Sequence, residues 1–238
     1  NPQTGKEEPP FSDEKNVSLS QNDIVVLVGP NNAGKSVALK DICNKANNKE
    51  VSGLVVKEID IQTSGTKEDL ITWLQRTCKK ITQNPSNPQY TRFGSSVNEN
   101  KAQIFWQDSS SGLKELSKFL VYHLTTDARL NAANPAPNIA LTREPITHPI
   151  HYLQMDDSIE NKANEFFREA FGEDLLVHRN AGKEVPLLCG ESPHVKEGED
   201  RVSLSYIRRL EALPALHEQG DGMRSFVGVL LHALVVDH

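Results

Sequence analysis

The sequence predicts an α/β fold, and three observations carry that expectation. Ile24–Val28 is an unbroken apolar run, rich in β-branched residues, bounded by Asp23 and Gly29. Such a run reads as a strand buried on both faces, as in a parallel sheet. A glycine-bearing turn follows, and then Lys35–Asn47 carries Val37, Leu39, Ile42 and Cys43 at roughly helical spacing. Strand-like and helix-like stretches continue to alternate downstream, the pattern of layered α/β architectures. At 238 residues the chain suits one large domain, or one domain and a smaller lobe. That length buries a core without disulfide or metal staples.

The remaining elements follow in order. Residues 1–22 read as a polar lead-in holding Pro9 and Pro10, with a short strand near Val17–Leu19. Leu54–Ile61 alternates and reads as a strand, and Lys67–Lys80 as a helix enclosing Ile71, Trp73, Leu74 and Cys78. Residues 83–112 contain Pro85 and Pro88 among many Asn and Ser, so they read as loop with one strand at Ile104–Trp106. Leu113–Tyr122 fits a helix running into a strand, either element being open, and Asn131–Pro145 is a connector. Ser158–Phe171 is a helix, capped by Ser158, striped by Ala163, Phe166, Phe167 and Ala170, and stopped by Gly172. Leu175–His178 and Glu184–Leu188 flank a hairpin signal at Arg179–Lys183. Leu204–Leu213 and Gly222–Val236 read as helices. The expected division is a lead-in over 1–22, a core with an insertion over 23–145 and a lobe over 146–238.

Composition narrows the function classes. Lys plus Arg total 26 against 32 Asp plus Glu, a net charge of −6, which excludes a uniformly basic nucleic-acid coat but not a local patch. Arg76, Lys79 and Lys80, and later Arg208 and Arg209, read as exposed helix faces, and Trp73 and Trp106 as core residues. No apolar run reaches the roughly 18 residues of a membrane span. Cys43, Cys78 and Cys189 are far apart, and read as reduced thiols of a cytoplasmic protein. His148 and His151 are separated by Pro149, which argues against a shared helical face for a metal. Asp156 and Asp157 read as a helix lead-in. Asn1 stands where an initiator Met would, and the chain reads as a fragment.

Residues 29–36 carry the chemistry: Gly29, Pro30, Asn31, Asn32, Ala33, Gly34, Lys35 and Ser36 fit G-x-x-x-x-G-K-[ST], between an expected strand and an expected helix. A phosphate chain packs several negative charges into a small volume and needs many donors there. A strand-to-helix turn aims successive amides inward as an anion nest, and the helix through Lys35, Ser36 and Val37 adds its positive dipole end. Gly29 and Gly34 allow backbone angles and approaches that a Cβ blocks. Lys35 reaches phosphate as a mobile point charge, and the Ser36 hydroxyl suits Mg²⁺.

The loop GPNNAGKS resembles that of ABC-type ATPases outside transporters, the SMC and repair ATPases and the overcoming-lysogenization-defect (OLD) family with its relatives. A second segment, Gly220-Asp221-Gly222-Met223-Arg224, resembles the signature of those ATPases in its OLD-like form. It departs from the transporter pattern, with Asp221 where Gly is usual and Met223 where Gln or Glu is usual. Gly222 leaves a helix N-terminus bare for a phosphate, Asp221 is suited to cap that helix in the absence of nucleotide, and Arg224 adds charge. The resemblance implies a P-loop NTPase fold, an ABC-ATPase-like head with a mixed sheet and a helical or α+β insertion. It implies ATP and Mg²⁺ as ligands, ATP hydrolysis in the complete protein, and a homodimer whose paired heads share two nucleotides. It also implies a glutamine at the metal or the attacking water, for which Gln154 is the candidate and Gln107 the alternative. The strand ending in catalytic carboxylates is missing: Asp237 in Leu234–His238 follows Gly222 too closely, so the fragment alone is expected to be inactive. Relatives work with a nuclease or toxin effector, several in antiphage defence, and DNA is a further partner to consider. A DNA-repair or SMC-like motor and a non-hydrolysing regulatory scaffold are the alternatives. The absence of sustained heptads argues against the coiled-coil insertion of an SMC-type motor.

Overall fold

The computed structural model describes residues 16–20, 23–82 and 85–235. Most of the lead-in and the end at Asp237 and His238 lie outside them. Two cores organise what is described. The first gathers α1 (Lys35–Asn47), α2 (Lys67–Thr77), β1 (Lys79–Ile81), β2 (Gln89–Arg92), β3 (Ser95–Asn98), α3 (Glu99–Gln107), a single helical turn at Lys114–Leu116 and α4 (Ser117–Leu120). The second gathers α5 (Thr126–Ala132), β4 (Ala136–Pro137), α6 (Ile150–Met155), α7 (Asp157–Phe171), β5 (Asp174–Val177), β6 (Glu184–Val185) and β7 (Leu187–Gly190). Beside it, Tyr206 and Leu210 of α8 (Leu204–Leu210) form a small separate cluster with Leu188, and a turn at Leu216–Glu218 and α9 (Asp221–Leu234) complete the second core.

Polar caps and glycine stops place the helices. Thr66 opens α2 with a reciprocal capping box, its hydroxyl accepting from Asp69 N at 3.1 Å while its own amide donates to the Asp69 carboxylate at 2.8 Å. Asp156, not Ser158, caps α7, accepting from Ser158 N at 2.7 Å. The Asp156 carboxylate, one residue before the helix, reaches the first free amides, which puts Ser158 inside. Gly172 ends α7 in the left-handed region at φ 75°, as the sequence predicts. Leu70 and Leu74 of α2 meet Tyr90, Val97, Leu116 and Phe119 in the first core. Ile159, Ala163 and Phe167 of α7 meet Leu175, Leu187, Val227 and Leu231 in the second. Trp73 and Trp106 lie half-buried against the first core.

α5 packs along α9 and β4 pairs with β6, so both join the second core. The sheets are small: β1-β2-β3, β4-β6 and β5-β7, and every pairing among the described residues is antiparallel. A mixed sheet is therefore not found among the described residues, and the coarse α/β class alone stands. The hairpin expected around Arg179–Lys183 is present as β5-β7, with Val177 opposite Leu187. Pro186, lacking an amide for the ladder, separates β6 from β7, and β6 pairs instead with Ala136–Pro137.

Several expected strands are absent. Ile24–Val28 forms no strand, with Ile24 91% and Val28 86% exposed. The run has the composition of a doubly covered strand, and none of the strands described above neighbours it. Val17–Leu19 is likewise exposed and unpaired. The expected helix over Lys67–Lys80 stops at Cys78, and Lys79–Ile81 turns into β1. Ile104–Trp106 lies inside α3, and Leu113–Tyr122 is helical through Leu120. Leu54–Ile61 forms no strand, since its first amides are committed elsewhere: Val55 N and Val56 N donate to the Asp41 carboxylate at 2.7 and 3.1 Å. Asp41 and Lys45 face inward from α1 with Ala38 and Ala46, while Leu39 and Ile42 are exposed. Of the apolar residues at helical spacing, Val37 and Cys43 are half-buried and Leu39 and Ile42 face solvent. The Val55 amide, joined by those of Val56 and Leu54 and the charge of Lys45, holds Asp41 below the usual carboxylate range against the opposing effect of burial. Asp41→Ala is expected to raise hydrogen exchange at Val55 and Val56 about tenfold or more, while amides of α7 stay unchanged. Unchanged exchange at both residues would remove this anchoring role.

Candidate functional site

The loop between Val28 and α1 is a tight turn built from three unusual backbone conformations. Gly29 sits at φ 156°, Asn32 at φ 65° and Gly34 at φ 81°. Gly34 is the N-cap of α1, and a left-handed residue there is the role for which glycine is suited. Asn32 is one of the few non-glycine types that enters this region readily, a signal legible in the sequence. Ala33 N closes the turn on Pro30 O at 3.3 Å. No side chain caps α1, so Lys35, Ser36 and Val37 present first-turn amides at the loop. The Lys35 ammonium folds back along the turn and donates to Gly29 O and Pro30 O, both at 2.7 Å. Ser36 is exposed, as are Pro30, Asn31 and Asn32. Unpaired amides, a positive helix end and a lysine thus converge on one short segment open to solvent, an arrangement able to take an anion.

The second segment begins α9. Gly220 is the N-cap, with φ −61° and ψ 150°, and no side chain caps the helix. Asp221 is already the first helical residue, so the cap expected of it is not formed; its carboxylate meets the Arg224 guanidinium at 3.3 Å. A Cβ built on Gly220 or on Gly222 would meet nothing within 4 Å, so this helix end is bare and open. Arg224 leans the other way, donating to Leu130 O at 3.4 Å and Asn134 Oδ1 at 3.3 Å beside α5. Its charge is thus shared between Asp221 and the seat of α9 on α5.

The structure does not bring these segments together. α1 packs on the turn at Lys114–Leu116 and on α4, whereas α9 packs on α5, α7 and the turn at Leu216–Glu218. Gln154 lies on α6, not on a loop, and its amide donates to Asn138 Oδ1 at 3.4 Å. Its carbonyl accepts from Arg179, which also binds Leu153 O and Asp157. Gln154 therefore belongs to the second core, away from Lys35. The alternative, Gln107, ends α3 in the first lobe.

Sequence reasoning missed a cluster between the lobes. Arg92 is 2% exposed, and its guanidinium lies 5.0 Å from the Phe93 ring centroid and 5.3 Å from that of Tyr152. Phe93, Tyr122, Tyr152 and His232 surround it edge to face or tilted, with centroids about 6 Å apart. The available signal was the Phe93-Gly94 pair between two strand-like stretches, a hairpin turn that carries an arginine at its mouth. Nearby, His148 Nδ1 accepts from Ile150 N at 3.2 Å, and His151 Nε2 pairs with Pro137 O at 2.8 Å. Burial drives the His148 pKa down to about 4, with the charges of His151 and His232 adding to it against a backbone hydrogen bond at Asn131. Among the described residues no group of three or more His, Cys, Asp or Glu could hold a metal ion, and no helix is long and apolar enough to cross a membrane. Cys43, Cys78 and Cys189 are free. Comparison with protein-family models, with curated proteins and with solved structures finds no match to this chain.

Proposed function

We propose that residues 29–37 bind the phosphates of ATP, and that the chain is the nucleotide-binding part of an ABC-type ATPase head. One observation carries the reading. The G-x-x-x-x-G-K-S segment forms a compact turn with left-handed Asn32 and Gly34, opening directly onto an uncapped helix. Bare amides at Lys35, Ser36 and Val37 would take the phosphate oxygens. Lys35, already curled over the turn, would add its charge, and the exposed Ser36 hydroxyl would be available to Mg²⁺. Bound Mg²⁺ would neutralise phosphate charge in a reaction governed by positioning and electrostatics. The open start of α9 at Gly220–Gly222 would meet a nucleotide held by another copy. The separation of the two segments within one chain supports a site shared between paired heads. Work with a nuclease or toxin effector in antiphage defence follows from the resemblance of the two motifs alone.

The test is a titration of the full 238-residue chain with a fluorescent ATP analogue, with and without Mg²⁺. Wild type is expected to saturate, and Lys35→Ala to weaken binding by about tenfold or more, roughly 1.4 kcal/mol. Equal titrations for the two proteins would overturn the assignment.

A further inference from the structure

The turn between β2 and β3 concentrates two costs on two adjacent residues. Arg92 is among the largest fully buried side chains, although burying a guanidinium is unfavourable. Phe93 holds φ 49°, a region that aromatic residues rarely enter. Strain of this kind persists only where its surroundings over-determine it, and it concentrates at clamps and switches. Several contacts of this tip lead into the second lobe. The Arg92 guanidinium donates to Val235 O, the C-cap carbonyl of α9, where a cation also meets the negative end of the helix. Phe93 N donates to Ile146 O at 2.8 Å, and the Phe93 ring packs on the second core. Two neighbouring bonds cross the same boundary: Tyr152 Oη to Thr77 O at 3.0 Å, and Lys79 Nζ to Thr142 O at 2.8 Å.

We propose that the Arg92–Phe93 tip is a latch between the lobes. While Arg92 is seated on the end of α9, the first lobe and α9 move as one body. When it is unseated, each lobe keeps its own fold and the two move independently. The cores support this, since Leu70, Leu74, Tyr90 and Phe119 on one side and Phe167, Leu175 and Leu231 on the other form separate clusters. The tip is built to hold rather than to stabilise cheaply: an apolar residue at 92 and a glycine at 93 would avoid both costs and lose the grip.

The experiment compares wild type with Arg92→Met in the full chain by scanning calorimetry and hydrogen exchange. Wild type is expected to unfold in one transition. Arg92→Met is expected to show two, with exchange in the last turn of α9 and at Phe93 about tenfold or more faster, while the centres of α2 and α7 change less than twofold. A single transition in Arg92→Met, with exchange raised equally in both cores or in neither, overturns the latch. Should Arg92→Met not accumulate as folded protein, Tyr152→Phe removes the hydroxyl that bonds both Thr77 O and the Arg92 guanidinium, loosening the same latch without deleting the arginine. The same split into two transitions then supports the latch, and a single one overturns it.

Discussion

Gly228→Ala is expected to destabilise the protein, against what helix propensity alone predicts. Gly228 lies inside α9, where replacing glycine by alanine is worth about 1 kcal/mol in favour of the helix. A Cβ at this position would lie 2.2 Å from Arg129 O and 2.8 Å from both the C and Cα atoms of Arg129. Those are backbone atoms of α5, and they cannot swing aside as a side-chain tip does. The two helices must separate, and overpacking of this kind costs about 1–3 kcal/mol, at its upper end when backbone has to move. Separation would also pull Arg129 from Ser225 Oγ, at 2.6 Å, and Arg224 from Asn134. The clash outweighs the propensity gain, and a net loss of about 2 kcal/mol is expected in urea denaturation. Gly222→Ala is the internal control. It lies on the same helix with open space where its Cβ would go, so it is expected to be neutral or stabilising by up to about 1 kcal/mol. If both substitutions shift stability in the same direction, the close approach of α9 to α5 is not what holds that helix in place.

The same contrast shows what the sequence could and could not disclose. Helices whose limits are set by local chemistry are legible: α7 ends at Gly172, and α1 starts where Gly34 and Lys35 put it. The turn at 29–34 is legible too, because Gly and Asn at set positions prescribe left-handed backbone. Strands are less so, because a strand is defined by its neighbours. Ile24–Val28 has the composition of a covered strand, yet pairing and covering come from residues far along a chain, which a run of five cannot name. The inward face of α1 is hidden from the sequence for a related reason. Asp41 is buried because two amides at Val55 and Val56 await it, and no periodicity of apolar residues reveals such a bargain. Gln154 was placed by its order in the chain alone, and order does not fix which core a helix joins. The Phe93-Gly94 turn is legible, but the burial of Arg92 beside it is not, because a charged residue at a hairpin end ordinarily reads as solvated.

Acid is expected to weaken the second lobe through His148 at a pH where the carboxylates are not yet involved. Burial, with the nearby charges of His151 and His232, keeps the His148 ring neutral in the folded protein down to about pH 4. In the unfolded chain the same ring takes a proton near pH 6.5. Between those values the unfolded state binds more protons, so stability falls as pH falls, by at most 1.4 kcal/mol per unit from this one group. Half-burial of His148 leaves part of the ring to solvent, which reduces the full effect to about 2 kcal/mol. His151, 0% exposed, shifts in the same direction through burial, opposed in part by its bond to Pro137 O. Carboxylates held low, such as Asp41 below its ordinary range and Glu199 at about 2, act on stability only below about pH 5, where unfolded carboxylates begin to protonate. The window from pH 6.5 to pH 5 therefore isolates the histidines. Urea denaturation across it should show wild type losing stability while His148→Gln, which cannot take the proton, loses about 1 kcal/mol less over the same interval. Parallel slopes for the two proteins would mean that the folded ring accepts its proton as easily as the unfolded one, and that α6 does not shield it.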